Sequence, residues 1–285
     1  MDIAYVISAY KLPEQLVRLV RRLASPGTAF AVHVDLKSDD DVQRSMLDGL
    51  AGVEGVRFLP RHRCHWGGFG HVRATLKGID ELLRNDVPFD YLVLLTGQDY
   101  PLQPVDEIAH FFEAAQGRSF MSSWPLPRDS WSGRGGLNRV ERWHLVGPAR
   151  LHVGVPSRRR TPSGFTVFGG SPYWCLARPL VEHVQHVVES RPDVVRFFEH
   201  TYIPDEMFFQ TVLMSSDHAA SVVDENLRYI DWSVHPGPKI LTIDDAPRLI
   251  ASDKLFARKF DSSVDADILD RLDEHVDARR QAVSR

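Results

Sequence analysis

The stretch TYIPDEMFFQTVL, residues 201–213, sets Pro204, Asp205 and Glu206 directly ahead of an apolar run. Proline suits the first position of a helix and acids suit its first turn, so the triplet reads as a helix start. The same placement would let Glu206 face a pocket and act as a general base on a substrate hydroxyl. In HVDLKS, Asp35 stands just past a strand. Its carboxylate there accepts hydrogen bonds from a ribose or base, holds a metal, or closes a turn on its own backbone. In LLTGQDYPL, Asp99 leaves another strand and either binds a sugar hydroxyl or braces a turn. KLFARKF, residues 254–260, sets Arg258 and Lys259 among aromatic anchors. These cations either neutralise a diphosphate leaving group or guard a sheet edge.

Flat ligands need flat partners and close backbone. HWGGFGHVRATL offers Trp66 beside two glycines, and the alternative is a turn with Trp66 in the core. FGGSPYWCL follows small residues with Tyr173 and Trp174, for stacking on a sugar ring or as a bulged core strand. LNRVERWHL supplies Arg139, Glu141 and Arg142, able to hold an acceptor's hydroxyls or carboxylate, or to form a salt-bridged helix face. SRRRTPSG, from Ser157, either holds phosphate or keeps a loop soluble. Asp39, Asp40 and Asp41 read as a helix start.

These groups must be carried by strands that end together. IAYVISAY (3–10), FAVHVD (30–35), VRFLP (56–60) and YLVLLTG (91–97) are β-rich apolar runs, the last continuous as in a strand buried on both faces. Between them PEQLVRLVRRLAS places Leu16, Leu19, Val20 and Leu23 on one helical face, and VRATLKGIDELLRN (72–85) repeats that period. PVDEIAHFFEAA opens a helix with proline and acids. The alternation predicts an α/β fold with a mostly parallel central sheet flanked by helices. Ligands of such sheets sit at the carboxyl ends of strands, and Ser8, Ala9 and Tyr10, then Asp35, then the TGQDY string stand at three of them. Neither GxxxxGK[ST] nor GxGxxG occurs. Residues 125–164, rich in Pro, Gly, Ser, Arg and Trp, predict irregular structure over an active site. A helix over 179–190, a strand over 227–232 and a closing amphipathic helix in DADILDRLDEHVDARRQA complete the reading.

The chain has 285 residues, ample for a core without staples, and a formal net charge of -4 that points away from nucleic acid. Two cysteines, Cys64 and Cys175, make no disulfide framework and fit a reducing compartment. No apolar run reaches membrane-span length and no signal core follows the N-terminus. The expected location is the cytoplasm, or a membrane periphery at most.

Taken in order, HVDLKS, HWGGFGHVRATL, YLVLLTGQDYPL, RVERW, FGGSPYWCL, TYIPDEMFFQTVL and LFARKF resemble glycosyltransferase family 14, the core-2 and I-branching β1,6-N-acetylglucosaminyltransferases and the peptide O-xylosyltransferases. The resemblance implies a single GT-A-like catalytic domain, with a nucleotide-binding part over 1–120 and an acceptor-binding and catalytic part over 121–285. It implies inverting transfer of N-acetylglucosamine or xylose from a UDP-sugar to a hydroxyl of a carbohydrate, glycolipid, peptide or small molecule, with no cofactor and no metal. Glu206 is then the base, with Pro204 and Asp205 bracing a helix whose dipole lowers its pKa. Asp35, Ser8, Ala9 and Tyr10 line the nucleotide, with Trp66 and Asp99 beside them. Lys259, next to Arg258, contacts the diphosphate. The family pairs that lysine with an upstream arginine absent from DWSVHPGPKIL, where Lys239 or Arg228 is the substitute. Arg139 and Arg142 match the acceptor-binding basic pair, with Glu141, Trp174 and Trp232 on the acceptor side. Eukaryotic relatives carry a membrane anchor, so a chain starting at the first strand is expected to be a bacterial-type enzyme. Two other readings are a non-catalytic sugar- or nucleotide-binding protein on the same fold and a metal-dependent sugar nucleotidyltransferase.

Overall fold

The computed structural model describes residues 1–234 and 236–283. The apolar runs of the first third pair in parallel. β1 (Ile3–Ala9) lies between β2 (Thr28–Val34) and β4 (Tyr91–Thr96), and β3 (Val56–Phe58) adds to β2. Side chains alternate along a strand, so a strand covered on both faces needs apolar residues at every position. Ile3, Tyr5 and Ile7 of β1 enter one core cluster while Ala4 and Val6 enter the other.

Helices fill both sides. α1 (Pro13–Leu23), α2 (Asp40–Leu50) and α4 (Val105–Ala115) supply the first cluster through residues such as Leu16, Leu19, Met46 and Phe112. α3 (Gly70–Arg84) supplies the second through Val72, Leu76, Ile79 and Leu82. The predicted face of α1 is buried along its length.

The second half of the chain extends the same sheet. β6 (Ser119–Pro125), β9 (Phe168–Ala177) and β10 (Val222–Val223) give a seven-stranded sheet among the described residues, in the order β10-β6-β9-β4-β1-β2-β3. Only β9 is antiparallel to its neighbours. The boundary expected at residue 120 falls inside β6. α7 (Arg178–Ser190), α8 (Pro192–Glu199) and α9 (Phe208–Met214) join the second core cluster. α10 (Ala246–Ile250) and α11 (Asp267–Val283) join the first. A small sheet sets β12 (Phe256–Arg258) between β11 (Arg228–Ile230) and β5 (Asp99–Pro101).

The segment expected to be irregular is more ordered than its composition implies. It holds two short turns, α5 (Ser132–Gly135) and α6 (Asn138–Glu141), and a hairpin of β7 (Trp143–Val146) and β8 (His152–Val155). Strands of four residues offer too little alternation to be read from sequence. Among the described residues no helix is long and apolar enough to cross a membrane.

The β6–β9 pairing slips between Met121 and Ser123. At the slip the Ser122 carbonyl faces Gly170, where a Cβ would lie 1.9 Å from that oxygen. Neither backbone can yield without breaking the pairing. Gly170→Ala is expected to destabilise the protein by about 2–3 kcal/mol, measured as a lowered midpoint in urea unfolding; an unchanged midpoint would show that β6 and β9 can separate freely.

Candidate active site

The acidic arm is built around Glu206. Pro204–Glu206 forms a single 3-10 turn entered through Ile203 at φ 53°. Met207 then breaks the path before α9 begins, and no side chain caps that helix. This corrects the expectation of a helix start braced by Asp205. A lone turn has too few aligned peptides to lower a carboxyl pKa as a helix dipole would. The Glu206 carboxyl is instead raised above its ordinary value, by burial first and by Asp205 next, with Arg139 opposing. Arg139 Nη1 donates to Glu206 Oε2 at 2.7 Å, and its guanidinium stacks over Trp131 at 4.0 Å. Oε1 makes no hydrogen bond to any described residue.

Gly67 positions this turn. Its carbonyl accepts from Ile203 N at 2.8 Å, and a Cβ on Gly67, at φ +77°, would meet the Tyr202 ring at 2.8 Å. Trp66 beside it is not in the core: it is 65% exposed, with the Tyr202 ring edge-on at 5.9 Å. The backbone N–H of Tyr202 in turn donates to the Arg139 carbonyl at 3.1 Å. The Gly-rich element, α6 and the acidic turn thus lock one another.

The basic arm rests on Asp99. Antiparallel pairing of β5 with β12 sets Asp99 opposite Arg258. Asp99 is fully buried. Its Oδ2 accepts from Thr96 N at 2.6 Å and Thr96 Oγ1 at 2.5 Å, and lies 3.5 Å from Arg258 Nη1. Arg258 stacks over Tyr173 at 4.1 Å. Asp99 therefore braces the arginine and is closed to a sugar hydroxyl. Lys259 follows, half-buried, and its ammonium has no hydrogen bond or ion pair among the described residues. Burial, then Arg258 and Lys11, lower its pKa, with Asp261 opposing. Tyr173 joins the two arms: it lies under Arg258, and its phenol feels both Asp99 and Asp205.

The β1 end adjoins the basic arm. Tyr10 Oη donates to Gln98 Oε1 at 3.3 Å, and Gln98 Nε2 donates to the Phe260 carbonyl at 3.0 Å. Ser8 O accepts from Gly97 N and Ala9 O accepts from Asp35 N, both at 2.9 Å. Asp35 closes a turn through Lys37 N at 2.9 Å, so its turn-forming role is real. Its other oxygen lies 3.4 Å from the Lys37 ammonium.

Several expected residues lie elsewhere. Trp174 is fully buried against Phe209 and belongs to the core, out of an acceptor's reach. Tyr173, one position earlier and on the other face of β9, takes the place by the site. Lys239 is bound to Asp245 at 2.6 Å, and Arg228 donates to the Leu94 and Asn226 carbonyls, so both candidate substitutes for the missing arginine are engaged. Glu141 pairs with Arg134 at 2.5 Å. Arg142 and Trp232 are exposed. Tyr202, Trp131 and Lys11 escaped the site reading; of the two aromatics read for sugar stacking, Tyr173 and Trp174, it is Tyr173 that lies beside Arg258. Of possible metal ligands, His33, His62 and Cys64 cluster at the β2 end. Both ring nitrogens of His62 are already engaged, Nδ1 by His33 at 3.0 Å and Lys77 at 3.4 Å, and Nε2 by the Gly70 carbonyl at 2.9 Å.

Asp205 is pushed up to about 6 by burial, against its own backbone and Arg139. A carboxyl raised in the folded state binds its proton more tightly there than in the unfolded chain. Its contribution to stability is full below the ordinary value and is lost as pH rises through about 6. Asp205→Asn cannot ionise. It is expected to raise the melting temperature at about pH 7.5, by at most about 3 kcal/mol of stability, and to leave it unchanged near about pH 4. Equal effects at both pH values in thermal unfolding would refute the raised carboxyl.

The chain matches the family model described as Core-2/I-Branching enzyme over residues 3–250. It is 28% identical over 282 residues to Xylosyltransferase oxt of Drosophila pseudoobscura pseudoobscura, covering 91% of this chain and 31% of that protein. It is 29% identical over 297 residues to Xylosyltransferase 2 of Mus musculus, covering 96% of this chain and 33% of that protein. The chain thus spans about a third of the length of the curated relatives it matches. Among solved structures it is similar to 4-diphosphocytidyl-2C-methyl-D-erythritolsynthase from Anaerococcus prevotii, at 12% identity and a TM-score of 0.43, over 88% of this chain and 95% of that one. The family match runs unbroken from β1 through the acidic turn to the end of α10, and on that extent the chain belongs to the Core-2/I-Branching enzyme family.

Proposed function

We propose that this protein is an inverting glycosyltransferase that moves a sugar from a UDP-sugar to an acceptor hydroxyl, with xylose the first donor sugar to test because the relatives are named for it. The observation that carries the reading is a half-buried carboxylate at Glu206, held by Arg139, on the same site as the adjacent cations Arg258 and Lys259, with Tyr173 under Arg258 and its phenol within the field of Asp205. Arg139 fixes Glu206 by one oxygen and leaves the other to take the acceptor proton. The acceptor oxygen then forms a bond to the anomeric carbon from the face opposite the diphosphate. The bond from that carbon to the diphosphate oxygen breaks, UDP departs, and an α-linked donor yields a β-linked product.

Charge grows on the diphosphate as that bond lengthens. Fixed cations stabilise such charge best when no reorganisation is needed at the moment of reaction. Arg258 is held on one edge by Asp99 and on one face by Tyr173. Lys259 has no protein counter-ion among the described residues, and an incoming diphosphate would supply one. This division of labour supports a donor site that works without a divalent metal. Asp35, Tyr10 and the β1 end form the nucleoside side of the proposed site.

Thermal stabilisation by UDP with EDTA present tests the donor side. At one hundred times its dissociation constant UDP adds about 2.7 kcal/mol, a rise of several degrees in melting temperature, and Lys259→Ala abolishes most of it. A rise that appears only with Mn²⁺ would overturn the assignment of Lys259.

The catalytic side is tested by UDP release from UDP-xylose in the presence of a panel of peptide and glycan acceptors. Glu206→Gln should lose about 10²–10⁴-fold in kcat while keeping the UDP-induced stabilisation. Because Glu206 must be ionised and its pKa is raised, kcat/KM should fall on the acid side at a pH above the ordinary glutamate value of about 4.3. Arg139→Gln should move that limb further up. Wild-type rates in Glu206→Gln would remove the base assignment.

A further inference from the structure

One face of the β7–β8 hairpin leaves its apolar side chains largely exposed, with the Trp143 ring resting one side on His200 at 4.9 Å. Residues directly opposite each other in an antiparallel pair share a face. The register pairs Trp143 with Val155 and Leu145 with Val153, and all four are exposed, as is Leu151 next to β8. The other face meets the body. His144 Nε2 lies 2.9 Å from the Asn138 carbonyl, His152 stacks on Tyr202 at 4.0 Å, and Val146 lies against Gly68. A hairpin covered on one side ordinarily presents polar residues to water on the other. A contiguous apolar face in that position marks a binding surface.

Charge around the hairpin identifies the partner. From Arg142 to Arg160, the hairpin and its flanks, the chain carries five arginines and no aspartate or glutamate. Arg142 leads into β7, and Arg158 and Arg160 follow β8. All three are exposed, and none of their side chains makes an ion pair or hydrogen bond among the described residues. Arg159 between the last two is buried. It donates to the Arg142 and His200 carbonyls at 3.0 and 2.7 Å and lies 4.8 Å from the Trp143 ring, fastening the segment to the hairpin. Arg158 and Arg160 share a cleft with Glu141, whose carboxylate is already taken by Arg134 at 2.5 Å. A soluble polyanion would engage the arginines and leave the apolar face wet. A second copy docked through a twofold axis would cover the apolar face but bring like charges together. An anionic lipid surface satisfies both features, since aliphatic and tryptophan side chains enter the headgroup boundary while arginines meet phosphates.

We propose that the β7–β8 hairpin seats this protein on an anionic membrane surface, with Trp143, Leu145, Val153 and Val155 in the interface and Arg142, Arg158 and Arg160 at the headgroups. This does not depend on the transfer reaction.

The test is co-sedimentation of the chain with phosphatidylcholine vesicles, with and without about one-third phosphatidylglycerol. Binding is expected only with the anionic lipid and should weaken at high salt. Arg158→Gln with Arg160→Gln should lower partitioning by about 30-fold. Leu145→Asp with Val153→Asp should abolish it, and both variants should keep the wild-type melting temperature because the changed side chains are exposed. Brominated lipid should quench tryptophan fluorescence in wild type and do so less in Trp143→Phe. Failure of the wild type to bind anionic vesicles, or binding that the hairpin variants leave intact, overturns the proposal. A dimer in sedimentation velocity that Leu145→Asp dissolves, with no vesicle binding, would assign the hairpin to self-association instead.

Discussion

β9 runs antiparallel between β4 and β6, and both arms of the candidate site are attached to it. Its backbone pairing sets Trp174 opposite Met121, and the bulged residues 171–173 before it carry Tyr173. Trp174 enters the core and Tyr173 lies under Arg258. The Ser171 carbonyl of the same strand accepts from Gln210 of α9 at 2.6 Å, tying the helix that follows the acidic turn to the strand that carries Tyr173. Gly170 is pressed onto the Ser122 carbonyl, so the strand cannot slide without losing that fit. A one-residue slip of the pairing would turn Trp174 out of the core.

Charge in the site is arranged as two compensated pairs and two leftovers. Glu206 is matched by Arg139 and Arg258 by Asp99. Burying a charge without a partner is costly, so each pair lets an ion stay where water is scarce. Asp205 and Lys259 lack such a match, and their pKa values move in the directions that burial imposes, up for the acid and down for the amine. The unmatched acid stands beside Glu206 and the unmatched amine beside Arg258, so each end of the site carries one compensated and one uncompensated group.

The segment between β6 and β9 serves the site from outside. Its α6 turn delivers Arg139 to Glu206, and its hairpin packs His144 and His152 against Tyr202, whose backbone bonds to Arg139. The inner face of the hairpin is thereby part of what holds the acidic arm, while its outer face is free to meet a surface.

The sequence by itself determined the sheet-and-helix alternation, because Leu16, Leu19, Val20 and Leu23 repeat at helical spacing and the strands β1 and β4 are apolar at nearly every position. The order of short motifs determined the family, and the residues at the ends of β1 and β2 do stand together in the fold. Only the tertiary structure decided that Arg139 is spent on Glu206, that Asp99 serves Arg258, and that Lys239 is held by Asp245. It also decided that the acidic triplet is an isolated turn and that Tyr173, not Trp174, faces the site. The reason is that local periodicity reports only whether a side chain is apolar and how it is spaced. Partners 67 residues apart, as Arg139 and Glu206 are, and the choice of face on a strand, are fixed by pairing with distant backbone.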